Sequence, residues 1–446
     1  QGKSLGNLGI ISRKIGDYNS SVNYHLQSLK IFQEIKDRRE EGIALGNLGL
    51  AYNNLKDYSK AIEYLQEKLK IAKEINDYKG KSIALGNIAL VYENLGEYPE
   101  AIEYSQQSLK IDQEMEDRNG ESNGLGNIGN AYYKMGDYSK AINYHLRHLK
   151  IARNIKNREG EGNALNNLGV AYYKQGNFKL AESNLYKSIE VKESLRVELK
   201  DNNKITIFDI QRSTYNILQQ VLIAQNKTDA ALEVAERGRA RAFVELLASK
   251  LSPNPNEKLF TPPNIDQIKQ IASTQNATLV QYSITYNDFK FKGKRQVKES
   301  KLYIWVVRPT GKIAVKQVDL TSINKSLEEL VISSRDSIGV RGSNMFDVSV
   351  VTPSPEDPTQ KLKQLHKLLI APIADLLPKD RNERVIFIPQ ESLFTVPFPA
   401  LLDEKGKYLV EKHTILTAPS IQVLDFTRQH KLRNRKLGIG SRNALV

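Results

Sequence analysis

The amino-acid sequence predicts a multi-domain protein in which an all-α helical solenoid is followed by an α/β domain. Three observations support this. The chain of 446 residues is too long to fold around one hydrophobic core. A motif recurs every 40 residues through the first half of the chain. Beyond residue 265, β-branched and aromatic runs alternate with amphipathic segments, which is typical of strands and helices around one sheet.

The repeat contains a pentapeptide that returns without slippage. Leu5-Gly-Asn-Leu-Gly9 recurs as Leu45–Gly49, Leu85–Ala89, Leu125–Gly129 and Leu165–Gly169. From the second unit onward, a tyrosine seven positions after the first leucine completes an apolar stripe, which predicts a helix. A short polar turn and a second amphipathic run complete a helical hairpin. Since one hairpin cannot bury its own apolar face, the five hairpins should stack over residues 1–200.

These residues resemble the tetratricopeptide repeat (TPR). The resemblance covers Leu-x-x-Leu-Gly-x-x-Tyr, the Gly-Asp-Tyr turn and Ala-Ile-x-Tyr, and it is fullest at Leu125–Tyr144. The pitch is similar to that of the longer variant in Pins/LGN-type scaffolds. The resemblance implies that the first helices of the hairpins line a concave groove, which receives a peptide.

The implied groove would present a ladder of polar side chains. Side-chain amides both donate and accept hydrogen bonds, so they could hold a bound backbone without reading its sequence. The other interpretation is that the ladder only bridges adjacent helices, and both interpretations stay open at this stage. A clamp for carboxylates is indicated only where Asn127, Asn130 and Lys134 occur together. The predicted groove residues are Asn7, Asn47, Asn54, Asn87, Asn94, Asn127, Asn130, Lys134, Asn167 and Lys174.

Two histidines occupy a repeat position on the second helices. His25 and His145 stand where the neighbouring repeats have Leu65 and Leu185. We therefore expect them to be packing residues. No histidine has the spacing of a metal ligand, so we expect no metal and no cofactor.

The second half divides into further predicted segments. Residues 201–250 predict a degenerate hairpin that caps the repeats, and residues 251–264 form a proline-rich linker. Arg237–Arg241 is interpreted as a solvated or interdomain cationic face, and Lys290–Lys301 as a charged hairpin tip. Strands are predicted at residues 277–286, 302–307, 313–318, 384–389 and 414–417, and helices at about 321–336, 359–377 and from 419.

Four of these segments resemble the opening of a CHAT domain, a caspase- and separase-like family that follows TPR arrays. They are Asn276–Tyr282, Leu302–Gly311, Val385–Phe398 and His413–Ser420. The resemblance implies that residues 265–446 form the N-terminal portion of a truncated CHAT domain. It also implies a His-Gly motif and a Ser-Ala-Cys motif beyond Val446, whose imidazole would deprotonate the thiol. This sequence has no His-Gly pair and no cysteine, so we assign no catalytic residue.

The leading functional expectation is a protein- or peptide-binding scaffold or sensor that would regulate a peptidase-like CHAT module in the full-length parent. One alternative is that the parent is an active CHAT cysteine peptidase with the repeats as a substrate clamp. A second is a nucleic-acid-associated scaffold, because the net charge is +14. No zinc, RNA-recognition or helix-turn-helix signature supports it, so we expect no nucleic-acid partner.

The remaining expectations concern location. No apolar run approaches the roughly 18 residues of a spanning helix, and no signal peptide opens the chain. We therefore expect a cytoplasmic protein. Gln1 is not a natural start, so this expectation leaves an upstream targeting segment open.

Overall fold

The structure, a computed structural model, has two compact units, Gln1–Leu199 and Lys200–Val446. Most of the expected linker, at residues 251–261, lies outside the described residues, as does Arg241. The structure describes residues 1–197, 201–239, 262–291, 294–323, 325–337 and 358–436.

The first unit is built from antiparallel helical hairpins, as the repeat predicts. From α3 onward, each odd-numbered helix packs against the even-numbered helices that precede and follow it, and α1 packs against α2. The helices are α1 (Gly2–Lys14), α2 (Tyr18–Glu34), α3 (Arg38–Asn54), α4 (Tyr58–Glu74), α5 (Tyr78–Leu95), α6 (Tyr98–Glu114), α7 (Arg118–Met135), α8 (Tyr138–Asn154), α9 (Arg158–Lys174) and α10 (Phe178–Val197).

The turns between these helices use one device at a pitch of half a repeat. A residue with positive φ precedes each N-terminal capping position, as Gly136 (φ 89°) precedes Asp137 and Lys56 (φ 63°) precedes Asp57. Glycine adopts this left-handed conformation without strain. In most turns the next side chain accepts a hydrogen bond from the backbone N–H three residues on, as Asp57 does from Lys60 at 3.2 Å. Each turn therefore ends one helix and starts the next.

Close approach within a hairpin depends on glycine. A Cβ atom placed on Gly49 of α3 would lie 2.5 Å from Cγ of Leu65 on α4, and the same distance separates the Gly169 position from Leu185. Leu65 and Leu185 are fully buried. The glycines of the repeat therefore leave the space that the leucines of the second helix fill.

The two repeat-position histidines pack as predicted. His25 and His145 lie over Gly9 and Gly129, in the place that leucine takes in other hairpins, and both are buried. Burial lowers the pKa of His25 to about 4 and that of His145 to about 3. Both imidazoles are therefore neutral packing groups near pH 7.

The described residues of the second unit contain one sheet, six α-helices and four short 3-10 helices. The helices are α11 (Asp201–Ala224), α12 (Thr228–Arg237), α13 (Ile265–Gln275), α14 (Leu327–Ser337), α15 (Pro358–Leu369) and α16 (Ile421–Lys436). The strands are β1 (Ala277–Phe291), β2 (Lys294–Val307), β3 (Ile313–Asp319), β4 (Arg384–Ile388) and β5 (Thr414–Thr417).

The sheet is mixed, with strand order β3-β2-β1-β4-β5. Strands β1, β2 and β3 pair antiparallel, whereas β4 runs parallel to β1 and β5 parallel to β4. Strands β1 and β2 continue to the pair Phe291–Lys294, so most of the segment expected to be a charged hairpin tip is strand. Because many side chains in this part of β1 and β2 are polar, the segment lacks the apolar alternation that predicts a strand.

Helix α14 starts later than the sequence indicated. Ser326 and Glu329 form a reciprocal cap: the Glu329 N–H donates to Ser326 Oγ at 3.1 Å, and the Ser326 N–H donates to Glu329 at 3.0 Å. Asp319 accepts from the Thr321 N–H at 2.8 Å, which turns the chain before the helix. These local hydrogen bonds fix the start of the helix at Leu327.

Helices cover both faces of the sheet. One face packs its buried Val280, Tyr282 and Ile284 against α14 and α15. On the other face, Ser283 Oγ donates to Gln219 of α11 at 2.9 Å, and Trp305 Nε1 donates to the Thr228 carbonyl at the start of α12 at 3.3 Å. The hairpin expected to cap the repeats thus makes these contacts with the sheet of its own unit.

Arg239 decides between the solvated and the interdomain interpretation of the basic cluster after α12. Its guanidinium is buried and donates to the carbonyl oxygens of Tyr282 and Pro389, at the adjoining strands β1 and β4. Glu236 lies beside it at 4.0 Å and accepts from the Gln422 N–H at 2.8 Å. Burial lowers the pKa of Arg239 to about 10. Arg239 is therefore a buried link between α12 and the sheet and not part of a solvated face.

We predict that Gly49→Ala destabilises the chain by about 1–2 kcal/mol, because overpacking against Leu65 outweighs the gain in helix propensity. The matched control is Gly86→Ala on α5, where a Cβ would meet only Ser108 Oγ at 3.6 Å. There the change should stabilise by up to about 1 kcal/mol. Urea unfolding of both variants tests this, and equal shifts would contradict the packing argument.

We predict that His145→Leu reduces the loss of stability in acid. The folded-state pKa of about 3 lies below the usual value of 6.5, so the stability from the neutral imidazole is complete above pH 6.5. That stability is lost as the pH falls from about 6.5 towards 3, at up to about 1.4 kcal/mol per pH unit. Between pH 7 and pH 4, the unfolding free energy of the wild type should fall more steeply than that of the variant. A constant difference between the two unfolding free energies over this range would refute the prediction.

Candidate functional site

The odd-numbered helices of the first unit form one continuous row. Helix α3 contacts α1 and α5, and α7 contacts α5 and α9, whereas successive even-numbered helices make no comparable contact among the described residues. Because the odd-numbered helices lie closer to one another than the even-numbered helices do, the stack curves towards the odd-numbered helices. The odd-numbered helices therefore line the inner surface of the stack, as the TPR resemblance implied.

One face of each inner helix stays uncovered by its neighbours. On α7 this face carries Asn119, Asn123, Asn127, Asn130 and Lys134, which follow helical spacing and are all at least partly exposed. We call the set of equivalent positions the inner stripe. On the other helices it comprises Lys3, Asn7, Ile10, Lys14, Arg39, Ile43, Asn47, Leu50, Asn54, Lys79, Ile83, Asn87, Leu90, Asn94, Glu159, Asn163, Asn167, Val170 and Lys174.

All ten residues predicted for the groove thus lie on the inner stripe. These residues differ, however, in their hydrogen-bond partners. Three of them take part in hydrogen bonds between inner helices. Asn167 Nδ2 donates to Asn130 Oδ1 at 2.9 Å, and Asn94 Nδ2 donates to Asn53 Oδ1 at 3.1 Å. For these residues the interpretation that the ladder bridges adjacent helices is correct.

The central rungs of the ladder are different. Asn47, Asn87 and Asn127 are half-buried, and none of them has a hydrogen-bond partner among the described residues. An amide held in such a position has donors and an acceptor ready for a ligand. These three amides recur at a constant pitch along the inner stripe and form the candidate binding site of the first unit.

Two features of the inner helices were not predicted from the sequence. Asn53 is buried and supplies the acceptor for Asn94, although the neighbouring Asn54 was the predicted residue. Ile43, Ile83 and Leu90 are exposed large apolar residues on the inner stripe. Apolar residues recur here at equivalent repeat positions that lie outside the buried apolar stripe of each helix. This recurrence could have identified them from the sequence.

The charge on the inner stripe is mostly positive. Lys3 pairs with Glu40 at 2.8 Å and Lys79 with Asp117 at 3.5 Å, so part of the charge is locally offset. An acidic ligand would be attracted by the remainder. The cationic residues are Lys3, Lys14, Arg39, Lys79, Lys134 and Lys174, against the single anionic residue Glu159.

The second unit offers no comparable described site. His413 precedes β5, is buried, and has no hydrogen-bond partner at Nδ1 among the described residues; burial lowers its pKa. The described residues contain no group of three or more His, Asp or Glu side chains that could hold a metal ion. In the same parts of the chain, no helix is both long and apolar enough to cross a bilayer.

Comparison with protein families agrees with both resemblances. Residues 1–74, 40–114, 80–154 and 120–194 match the tetratricopeptide repeat model, and residues 359–445 match the CHAT domain model. The predicted TPR array and CHAT region are therefore confirmed. The CHAT match begins within the range 265–446 that the sequence indicated, whose exact boundaries stay a prediction.

Two curated relatives are similar to more than half of the chain. Tetratricopeptide repeat protein 28 of Homo sapiens is 27% identical over 336 residues, which is 57% of this chain and 14% of the relative. The Mus musculus protein of the same name is 25% identical over 339 residues, 55% of this chain and 13% of the relative. The chain therefore spans a small part of the length of these relatives.

Solved structures resemble the chain more distantly. BtubC (BKLC) from P. vanneervenii is 21% identical, with a TM-score of 0.40 over 44% of this chain and 82% of that chain. A Rap protein complexed with Competence and Sporulation Factor is 15% identical, with a TM-score of 0.41 over 52% of this chain and 72% of that chain.

We predict that Asn130 and Asn167 are coupled in stability. In a double-mutant cycle with Asn130→Ala and Asn167→Ala, the interaction free energy should be about 0.5–1.5 kcal/mol, because a hydrogen bond joins the two amides. Asn127→Ala, which removes an amide without a partner, should change the unfolding free energy by less than about 0.5 kcal/mol. Additive effects of the two first variants, measured by urea unfolding, would contradict the bridge.

Proposed function

We propose that this chain, which carries tetratricopeptide repeats over residues 1–194 and matches the CHAT domain over residues 359–445, is a scaffold that binds an extended peptide segment of a protein partner. The binding surface is the inner stripe. The observation that carries the proposal is the set of half-buried, unpaired amides of Asn47, Asn87 and Asn127.

The chemistry of the inner stripe suits a peptide backbone. An extended segment presents N–H and C=O groups that amides can match on both sides. Ile43, Ile83 and Leu90 next to the amides offer apolar contact for side chains of the ligand. The inner stripe therefore combines polar groups that suit a peptide backbone with apolar contacts for its side chains.

The direction of charge favours acidic segments. Lys14, Lys134 and Lys174 recur at the end of the inner stripe nearest the hairpin turns, and the described residues give none of them an ion-pair partner. A basic rim raises the association rate of an acidic partner more than it raises affinity. We therefore propose that net-negative segments are preferred.

The CHAT match suggests what peptide binding would do. We propose that occupancy of the groove regulates a peptidase-like module of a longer protein. The chemistry of such a peptidase needs a thiolate, and these 446 residues contain no cysteine. We propose that they bind rather than cleave. If the CHAT module is an active peptidase, the same groove would serve as its substrate clamp.

We predict that Asn47→Ala/Asn87→Ala/Asn127→Ala raises the Kd of groove ligands at least tenfold, because each lost hydrogen bond costs about 0.5–1.5 kcal/mol. Ligands are obtained by selecting a random 12-residue peptide library on the wild-type chain, and Kd is measured by fluorescence polarisation. The matched control is Gln66→Ala/Gln106→Ala/Asn143→Ala, which removes three exposed amides from even-numbered helices. An unchanged Kd for the ladder variant, or equal losses in both variants, would refute the groove.

A further inference from the structure

A cavity of about 150 Å³ lies between α3, α4 and α5. Four residues of the inner stripe, Arg39, Ile43, Lys79 and Ile83, line it, so it adjoins the proposed groove. A water molecule needs only about 10–15 Å³ of such volume, so the cavity can admit a small organic group.

A buried lysine forms part of the wall of this cavity. Lys68 of α4 is only 9% exposed. It has no hydrogen bond and no ion pair among the described residues. Its ammonium group lies over Gly46, where an added Cβ would be 2.8 Å from Nζ. A buried cation without a partner is costly, and burial lowers the pKa of Lys68 to about 8, against the opposing effect of Asp77.

Of the other four repeats, three have serine at this place and one has the buried His148, whose pKa is lowered by burial. Ser28 donates to the Gly2 carbonyl at 2.9 Å, Ser108 pairs with Ser82 at 2.8 Å, and Ser188 donates to the Gly162 carbonyl at 2.7 Å. In each case the hydroxyl joins the second helix to the first helix of a hairpin. Serine therefore satisfies this position structurally, and the lysine leaves a function to be explained.

The charges around the cavity favour an anion. Arg39 and Lys79 supply two more positive charges at the lining, and Arg39 has no ion pair among the described residues. Asp77 is the one acidic residue in the lining, and its carboxylate accepts from the Gly80 N–H at 2.8 Å. Lys79 also pairs with Asp117 at 3.5 Å, so the three cations stand against two carboxylates and leave a net positive charge that attracts an anion.

The chemical groups that line the cavity favour a carboxylate over a phosphate. Phosphate sites present several free backbone N–H groups, often at a helix N-terminus. Here the starts of α3 and α5 are already capped by Asp37 and Asp77. The remaining wall is apolar, with Ile71, Ile75 and Ile43, which suits the methylene groups of an acidic side chain.

We propose that this cavity binds the carboxylate of a glutamate or aspartate side chain of the groove peptide, with Lys68 as its buried counter-ion. This rests on the proposed peptide binding only for the source of the carboxylate. The acidic side chain enters between Arg39 and Lys79, and its carboxylate forms a charge-assisted hydrogen bond with Lys68 Nζ.

The first test does not depend on a peptide ligand. The full chain is methylated with formaldehyde and a mild reductant, and the rate at Lys68 is followed by mass spectrometry. N-acetylglutamate α-amide, which has only its side-chain carboxylate, should slow methylation of Lys68 at least threefold at saturation, whereas N-acetylglutamine α-amide should not. The exposed Lys110 on α6 is the internal control. Equal rates with both probes, or equal protection by inorganic phosphate, would overturn the carboxylate assignment.

The second test uses the peptide library. Peptides selected on the wild-type chain should carry an acidic residue at one fixed position, and this enrichment should be lost on Lys68→Ser, a variant with the residue that three other repeats already tolerate. Replacing that acidic residue by its amide should raise Kd about tenfold on the wild type and leave it unchanged on Lys68→Ser. Lys110→Ser should behave as the wild type.

The two tests separate the two proposals. Selected peptides without acidic enrichment, bound equally by Lys68→Ser, would overturn the cavity and leave the groove intact. A library that yields no ligand would refute the groove, and the methylation rates would still decide the cavity.

Discussion

The structure of the first unit depends on the close contact between a glycine of one helix and a large side chain of the next. Gly49 and Leu65 form this contact, and Gly129 with His145 forms a variant of it. The contact sets the distance between the helices of a hairpin, and the constant pitch of the repeat transmits that distance through the stack. A side chain that is too large at the glycine would change the spacing on which every neighbouring hairpin relies. In the third hairpin the equivalent residues are Ala89 and Ser105, both buried, so a larger residue on the first helix accompanies a smaller one on the second.

The spacing of the hairpins has a functional consequence, because it brings the odd-numbered helices into one row. Amides at equivalent positions then face the same surface but do not share the same chemistry. The side chains of Asn130 and Asn167 form a hydrogen bond with each other, and this bond holds their two helices together. Asn87 and Asn127 have no hydrogen-bond partner among the described residues, and we propose that they bind a ligand. A repeat can therefore combine rungs for stability with rungs for binding, and small departures from exact repetition separate the two roles.

The sheet of the second unit has two chemically different faces. One is apolar and lies against α14 and α15, while the face towards α11 and α12 includes buried polar side chains. Arg239 and Glu236 lie at this second face, where the guanidinium binds carbonyl oxygens at two parallel strands. These hydrogen bonds offset part of the cost of burying the guanidinium. The link joins α12 to the centre of the sheet, so α12 belongs with the sheet in structural terms.

The sequence by itself determined the helical hairpins, their pitch, the strands of the sheet core and the inner position of the predicted groove residues. These features follow from spacing along the chain, which is local and repeats without change. Only the tertiary structure decided that Asn94 bonds Asn53, that Arg239 is buried, and that Lys68 borders a cavity without a partner. Each of these depends on distances between side chains far apart in the chain. Such distances arise from packing, and no local pattern of residues encodes them.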